Sequence, residues 1–311
     1  MFVALILSLL LTACVAERLA PGPGPTPPAF VDQGHWRASD GFILGLSEWQ
    51  ASNESTVIVA LHGMNDYGQF IEPAAKYWQT KGIATYAFDQ RGFGRTEGNG
   101  RWPGHEVMAE DARTFIALVR ARHPNARVYL LGESMGGAVA MLAAARSSEP
   151  VADGLILVSP ALWGWSNLDI IKRSGLWIMM QLAPGSRLSG RNVAVKPSDN
   201  EQMLIALGRD PYVIKTTRVD ALNGLVDLME AAWQSAPKIA TPTIVLYADG
   251  DEVVPSQPIK DAAAAMPGTR QVVCYNDGFH MLLRDLKGER AWKAIEAFTA
   301  DNAATSSAPC K

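Results

Sequence analysis

The chain has 311 residues and balances 28 basic against 31 acidic side chains, a formal net charge of −3 with no basic run, so nucleic acid is excluded as a natural partner. Its length suits one large α/β domain with an inserted segment. No P-loop, no G-x-G-x-x-G after a first strand and no His/Cys/carboxylate cluster at metal-ligand spacing occurs, so neither cofactor nor metal is implied.

Phe2 to Leu11 is an apolar run of about ten residues, half of the ~20 needed to span a bilayer and suited to the core of an export signal. Leu11-Thr12-Ala13-Cys14 resembles a bacterial lipobox, in which the peptide is cut before the cysteine and the cysteine is lipidated; an ordinary cleaved signal is the alternative. Residues 1–13 are thus expected to be a signal peptide and 14–30 a lipidated Cys14 with a tether. Pro21-Gly22-Pro23-Gly24-Pro25-Thr26-Pro27-Pro28 cannot form helix or sheet, and the tether over residues 15–30 would reach ~50 Å if extended at about 3.1 Å per residue. This implies a bacterial cell-envelope protein, facing the periplasm or exterior, with a membrane as partner through its anchor.

Beyond the tether, apolar runs at 56–61, 83–88, 127–131, 155–159, 243–248 and 270–275 read as buried strands, mostly separated by lengths that fit a crossover helix. They predict an α/β fold with a mainly parallel sheet and helices on both faces. The first run ends in His62-Gly63-Met64. Loops at this position supply one backbone N–H to the oxyanion of an acyl-transfer reaction, here that of Met64, while His62 reads as shaping the turn. Val128-Tyr129-Leu130-Leu131 then leads into Gly132-Glu133-Ser134-Met135-Gly136 and the alanine-rich stretch 138–145. Strand, sharp turn, helix is the context of a nucleophile elbow, in which the glycines leave space where a Cβ would clash. Ser134 is therefore the candidate nucleophile, and Met135 N–H the other oxyanion donor.

Between Leu162 and Thr241 two neighbouring strands are separated by far more than the ~30 residues of a crossover unit. An insertion at 162–241, with helical patterns at 200–208 and 220–234, is expected to form a cap over Ser134. Its Trp163, Trp165, Ile170, Ile171 and Leu176-Trp177-Ile178-Met179-Met180 admit two readings. One is packing between cap and body. The other is the wall of an acyl-chain pocket, with some surface turned toward lipid.

A serine hydroxyl needs a base and an orienting acid, in the order Ser, Asp, His for this architecture. The run at 243–248 ends in Asp249-Gly250-Asp251, with Asp251 preferred as the acid and Asp249 read as a turn former. Of the five histidines, His35 lies in an N-terminal hairpin, His62 at a strand end, His105 in a Gly/Pro loop and His123 at a helix end; only His280 follows the acid in the expected place. The body is expected at 31–161 and 242–303, with a tail at 304–311. Cys274 and Cys310 are a candidate disulfide in an oxidising compartment.

His62-Gly63-Met64, Phe88-Asp89-Gln90-Arg91-Gly92-Phe93-Gly94-Arg95-Thr96-Glu97-Gly98 and Gly132-Glu133-Ser134-Met135-Gly136-Gly137, with the Asp251 and His280 segments, resemble the monoacylglycerol lipase and lysophospholipase branch of the α/β-hydrolases over roughly residues 35–300. That family often has histidine where Glu133 and Phe93 stand. The resemblance implies the α/β-hydrolase fold and a serine carboxylic-ester hydrolase acting on single-chain lipid esters through an acyl-enzyme on Ser134, without a cofactor. A short-chain esterase, thioesterase or peptidase would share this machinery, and a non-catalytic envelope lipoprotein is the alternative of another class.

Overall fold

The computed structural model describes residues 16–52, 54–146, 149–190 and 195–301; the expected signal peptide, Cys14, Cys310 and the tail 304–311 lie outside them. A nine-stranded sheet organises the chain in the order β1-β2-β3-β5-β4-β6-β7-β10-β11. Six of these strands are parallel: β4 (Thr56–Leu61), β5 (Ile83–Phe88), β6 (Arg127–Glu133), β7 (Gly154–Val158), β10 (Thr243–Ala248) and β11 (Thr269–Tyr275). They coincide with the six apolar runs; all but the edge strand β11, which is only half-buried, are covered on both faces and so carry no solvent-facing alternation. In β4, Val57, Val59 and Leu61 enter one core while Ile58 and Ala60 enter the other, so the pleat divides one apolar run between two layers.

A short antiparallel meander, β1 (Ala29–Asp32), β2 (His35–Arg37) and β3 (Ile43–Trp49), extends the sheet beyond β5. Helices cover both faces. On one side α1 (Glu72–Gln79) and α8 (Glu289–Asp301) touch, with Trp78, Ile295 and Phe298 in the core between them and the sheet. On the other lie α2 (His105–Arg122) and α3 (Met135–Ala145), contributing Phe115, Ile116 and Val139. His105 opens α2 rather than sitting in a loop, since Gly104 at φ 101° makes the turn just before it.

The expected tether is a strap laid on the body. Gly24 N–H and Thr26 N–H donate to the carbonyls of Asp40 and Ser39, at 2.9 and 2.8 Å, and Gly22 N–H reaches Asp40 Oδ2 at 2.9 Å. Farther back, Leu19 N–H donates to Trp102 O and Glu17 pairs with Arg101 at 3.0 Å. Proline lacks a donor, but the glycines and Thr26 between the prolines keep theirs, and those amides find acceptors in the 38–42 turn. The segment ends by pairing as β1, which starts at Ala29.

The insertion also divides differently from the expected 162–241 cap. After β7 come α4 (Ile170–Leu182), β8 (Arg187–Ser189), α5 (Glu201–Arg209), β9 (Thr216–Arg218) and α6 (Val219–Ser235), followed by α7 (Ser256–Ala265) after β10. Helix α6 buries Val219, Ala221, Leu228 and Ala232 and packs along α3, so it serves as the crossover helix of the body as well as the base of the cap. Its apolar stripe is wider than a surface cap helix needs, because it has two layers to contact. Helices α4 and α5, joined to the body through the small β8-β9 pair, are the true insert. Among the described residues no helix is long and apolar enough to cross a membrane.

Candidate active site

At the end of β6 the backbone turns into α3 with Ser134 at φ 54° and ψ −117°, a region that non-glycine residues rarely adopt. The glycines around it are required by contact: a Cβ on Gly132 would sit 2.2 Å from Gly136 O, and one on Gly136 would sit 2.1 Å from Leu61 O. Ser134 N–H donates to Val158 O at 3.0 Å and Ser134 O accepts from Ala161 N–H at 2.9 Å, fastening the strained residue to the neighbouring strand end.

Two further strand ends bring the partners. His280, in the loop after β11, places Nε2 3.0 Å from Ser134 Oγ and Nδ1 2.7 Å from Asp251 Oδ2. Asp251 follows β10; its Oδ1 accepts from the N–H groups of Val253 and Val254 at 2.7 and 3.0 Å, which leaves Oδ2 for the imidazole. Its carboxylate is buried, and the pairing fixes Nδ1–H so that Nε2 faces the serine hydroxyl as an acceptor. Asp249, read above as a turn former, lies exposed, and its side chain pairs with Lys260 at 3.0 Å and Ser256 at 3.4 Å. His35 and His123 pair with Asp32 and Glu54, away from the triad.

The two expected oxyanion donors flank the serine. Met135 N–H is at the first position of α3, where no helical carbonyl is available to it. Met64 lines the same cavity as Ser134, and a Cβ on the preceding Gly63 would lie 3.8 Å from Ser134 Oγ. Neither amide donates in the turn and cap hydrogen bonds of the described residues. His62 sets this loop: Nδ1–H donates to Gly63 O at 2.8 Å, and Nε2 accepts from Gln90 N–H at 2.9 Å. Complete burial holds its pKa below the ordinary 6.5, the nearby Asp66 and Asp89 notwithstanding, in keeping with a neutral imidazole that accepts on one side.

A cavity of about 390 Å³ opens from Ser134 between body and cap. Trp163, Leu176, Leu222, Leu225, Val226 and Met229 form its walls, and Lys172 is the one charged side chain on them. The apolar cluster of the insertion therefore splits between both readings. Trp163 and Leu176 line the cavity and Met179 and Met180 pack on the core, whereas Ile170, Ile171, Trp177 and Ile178 are exposed. Cys274, on β11, is disulfide-bonded, and the other two cysteines, Cys14 and Cys310, lie outside the described residues.

Hydroxyl, imidazole and carboxylate in hydrogen-bond series at the carboxyl edge of a parallel sheet make this chain a serine hydrolase with the α/β-hydrolase fold. It belongs to the serine aminopeptidase S33 family, which it matches over residues 52–287. Among characterised relatives it is 25% identical over 211 residues to the monoacylglycerol lipase of Mycolicibacterium smegmatis, covering 64% of this chain and 71% of that one. It is 23% identical over 277 residues to the monoglyceride lipase of Homo sapiens, covering 87% and 90%. The crystal structure of Paleococcus ferrophilus monoacylglycerol lipase shares the fold with a TM-score of 0.68 at 21% identity, over 84% of this chain and 99% of that one.

Several residues at the site carry no sequence signal. Arg284 pairs with Asp66 at 2.8 Å and Glu133 at 3.1 Å, all three buried below the triad. Asn65 Nδ2 donates to Thr217 Oγ1 at 2.7 Å and Asn65 O accepts from Ile214 N–H, tying the oxyanion loop to the cap. Met281 N–H donates to Pro197 O, and Ser198 Oγ to Asp285 Oδ1 at 2.7 Å, tying the histidine loop to the cap as well.

Asp251→Asn should lower kcat by roughly 10⁴-fold, as loss of the orienting acid does in such triads, while Asp249→Asn should leave it near wild type. Steady-state kinetics on an activated ester checks the pair, and a larger loss in Asp249→Asn would reassign the acid. A second expectation concerns pH. Because burial depresses the folded-state pKa of His62, the unfolded chain takes up a proton that the folded one refuses as pH falls through about 6.5, so His62 withdraws stability toward acid. Thermal melts from pH 7.5 to 5 should fall less steeply in His62→Gln than in wild type.

Proposed function

We propose that this enzyme hydrolyses esters of single-chain acyl lipids, such as monoacylglycerols or lysophospholipids, through an acyl-enzyme on Ser134. Ser134 Oγ attacks the ester carbonyl carbon as its proton passes to His280 Nε2; Asp251 orients the imidazole and stabilises its charged form. The oxyanion is met by the N–H groups of Met64 and Met135. Collapse expels the alcohol, which takes the proton from His280. A water deprotonated by His280 then attacks the acyl carbon and releases the fatty acid, returning the proton to Ser134.

The observation that carries this reading is the cavity. A slot of about 390 Å³, walled by leucines, valines, methionines and Trp163 and ending at Ser134, suits an acyl chain. The similarity to a monoacylglycerol lipase and a monoglyceride lipase supports the same substrate class. An aminopeptidase would need a carboxylate to receive the substrate ammonium, and none of the side chains lining the slot is acidic.

A lipid anchor on Cys14 is the second part of the proposal. Ala16 and Glu17, close after Cys14 in the sequence, share the wall of a small cavity with Met180 of α4. The same helix leaves Ile170, Ile171, Trp177 and Ile178 exposed at i, i+1, i+7 and i+8, with Ile171 at 80% and Trp177 at 63% of their full exposure. Such a one-sided apolar helix suits the boundary between lipid headgroups and acyl chains. Anchor and cap face would then meet one bilayer, beside the opening through which its lipids reach Ser134.

If the slot takes the acyl chain, kcat/KM should rise from acetate toward decanoate monoesters, by up to ~0.8 kcal/mol for each methylene buried in the transition state. A flat profile would favour a short-chain esterase, and faster cleavage of aminoacyl amides a peptidase. Cys14→Ser should abolish labelling by a palmitate analogue in a bacterial host and move the protein to the soluble fraction. An unlabelled wild type would remove the anchor.

A further inference from the structure

Buried side chains of two active-site loops and of the strand end before the elbow converge on one guanidinium. Asp66 lies two residues after Met64, Glu133 immediately before Ser134, and Arg284 four residues after His280. Arg284 Nη1 is 2.8 Å from Asp66 Oδ2 and Arg284 Nη2 is 3.1 Å from Glu133 Oε1, with each side chain less than a tenth exposed. On the rest of its loop, Asn200 Nδ2 donates to Arg284 O at 3.0 Å, so the backbone that carries the guanidinium is itself held by the cap.

This arrangement is poorly explained by stability. Two carboxylates share one cation in a buried site, and burial pushes Glu133 above the ordinary carboxylate range although Arg284 and His280 oppose the shift. Glu133 Oε2 and Arg284 Nε, both buried, make no hydrogen bond within the described residues. A partly satisfied ionic cluster is costlier than apolar side chains of the same size, whereas its geometry is highly directional. What the fork does supply is a fixed spacing between three chain segments that share no strand pairing at this point, in the plane of one rigid group.

We propose that Arg284 is a positioning residue for catalysis: it sets the distance of His280 and of the Met64 oxyanion donor from Ser134 by holding the histidine loop, the oxyanion loop and the elbow to one guanidinium. The proposal rests on the triad roles given above but not on the identity of the lipid substrate. The elbow residue Glu133 makes the cation necessary in this chain, since a carboxylate buried directly before the nucleophile must be paired.

The test compares three variants of the full chain: Arg284→Lys, Arg284→Met and the triple Asp66→Asn/Glu133→Gln/Arg284→Met. Each is followed by the rate of fluorophosphonate labelling of Ser134, by kcat and KM on p-nitrophenyl butyrate, and by thermal melting. Arg284→Met strands two buried carboxylates and should melt early. The triple variant removes all three charges and leaves no stranded carboxylate, and should melt well above Arg284→Met. Its kcat and labelling rate should nonetheless stay about 10²-fold below wild type with KM little changed, because the loops are no longer held to sub-ångström spacing. Arg284→Lys keeps the charge but not the fork, and its kcat should fall between. Wild-type kcat in a folded triple variant, or in Arg284→Lys, would overturn the proposal and leave Arg284 as a neutralising charge only. Failure of the wild type to label would overturn the triad roles instead, which separates the two claims.

Discussion

The contact on which this active site depends is between two pieces of backbone. The carbonyl of Leu61, at the end of β4, presses so closely on the first turn of α3 that position 136 has no room for a side chain, and the same crowding holds between Gly132 and Gly136. With helix and strand ends this close, the chain between them has one residue in which to reverse, and Ser134 takes the strained conformation. Its hydroxyl therefore stands at the carboxyl edge of the sheet. Other parallel strands deliver the remaining parts to that edge: the oxyanion loop follows β4, the acid follows β10 and the base follows β11.

Loops at a sheet edge have no ladder to hold them, and here guanidiniums, two of them buried, take its place. Arg91 is nearly inaccessible and forks to Asp40 at 2.6 and 2.9 Å and to Asp111 at 2.6 and 2.7 Å, joining the strand-meander turn to α2. Arg95 forks to Asp89, which also accepts from Gly68 N–H at 2.8 Å. Arg284 repeats the device beneath the triad. A guanidinium serves better than an ammonium because its planar fork fixes direction as well as distance. Asp40 has a further use, accepting from Gly22 N–H, so that the proline-rich strap is fastened to the same network.

The cap is neither a separate domain nor a loose flap. Helix α6 belongs to the body through α3 and to the cap through α4, so the substrate cavity is built on their joint. The segment around α5 reaches back with side chains and amides to both the oxyanion loop and the histidine loop, by way of Asn65, Tyr67, Met281 and Asp285. A displacement of this arm would be felt at donor and base together, which couples what enters the slot to the geometry that processes it.

The sequence alone was sufficient for the sheet, the elbow and the order of the three reacting residues. Those features rest on local rules: unbroken apolar runs for doubly covered strands, glycine where backbone meets backbone, and a fixed chain order for this architecture. Asp251 and Asp249 differ by two residues and have the same chemistry; the sequence preferred Asp251 as the acid, and the fold gives it the Val253 and Val254 amides while Asp249 pairs with Lys260. Tertiary structure also made the proline-rich segment a strap and α6 part of the body, since both depend on what lies opposite: acceptors in the 38–42 turn and the surface of α3. The Asp66, Glu133 and Arg284 cluster was illegible for the same reason. Its members lie far apart along the chain; Glu133 stood out only as a departure from the family's usual histidine, and the pairing exists only where two loops and one strand end of the sheet edge are folded against each other.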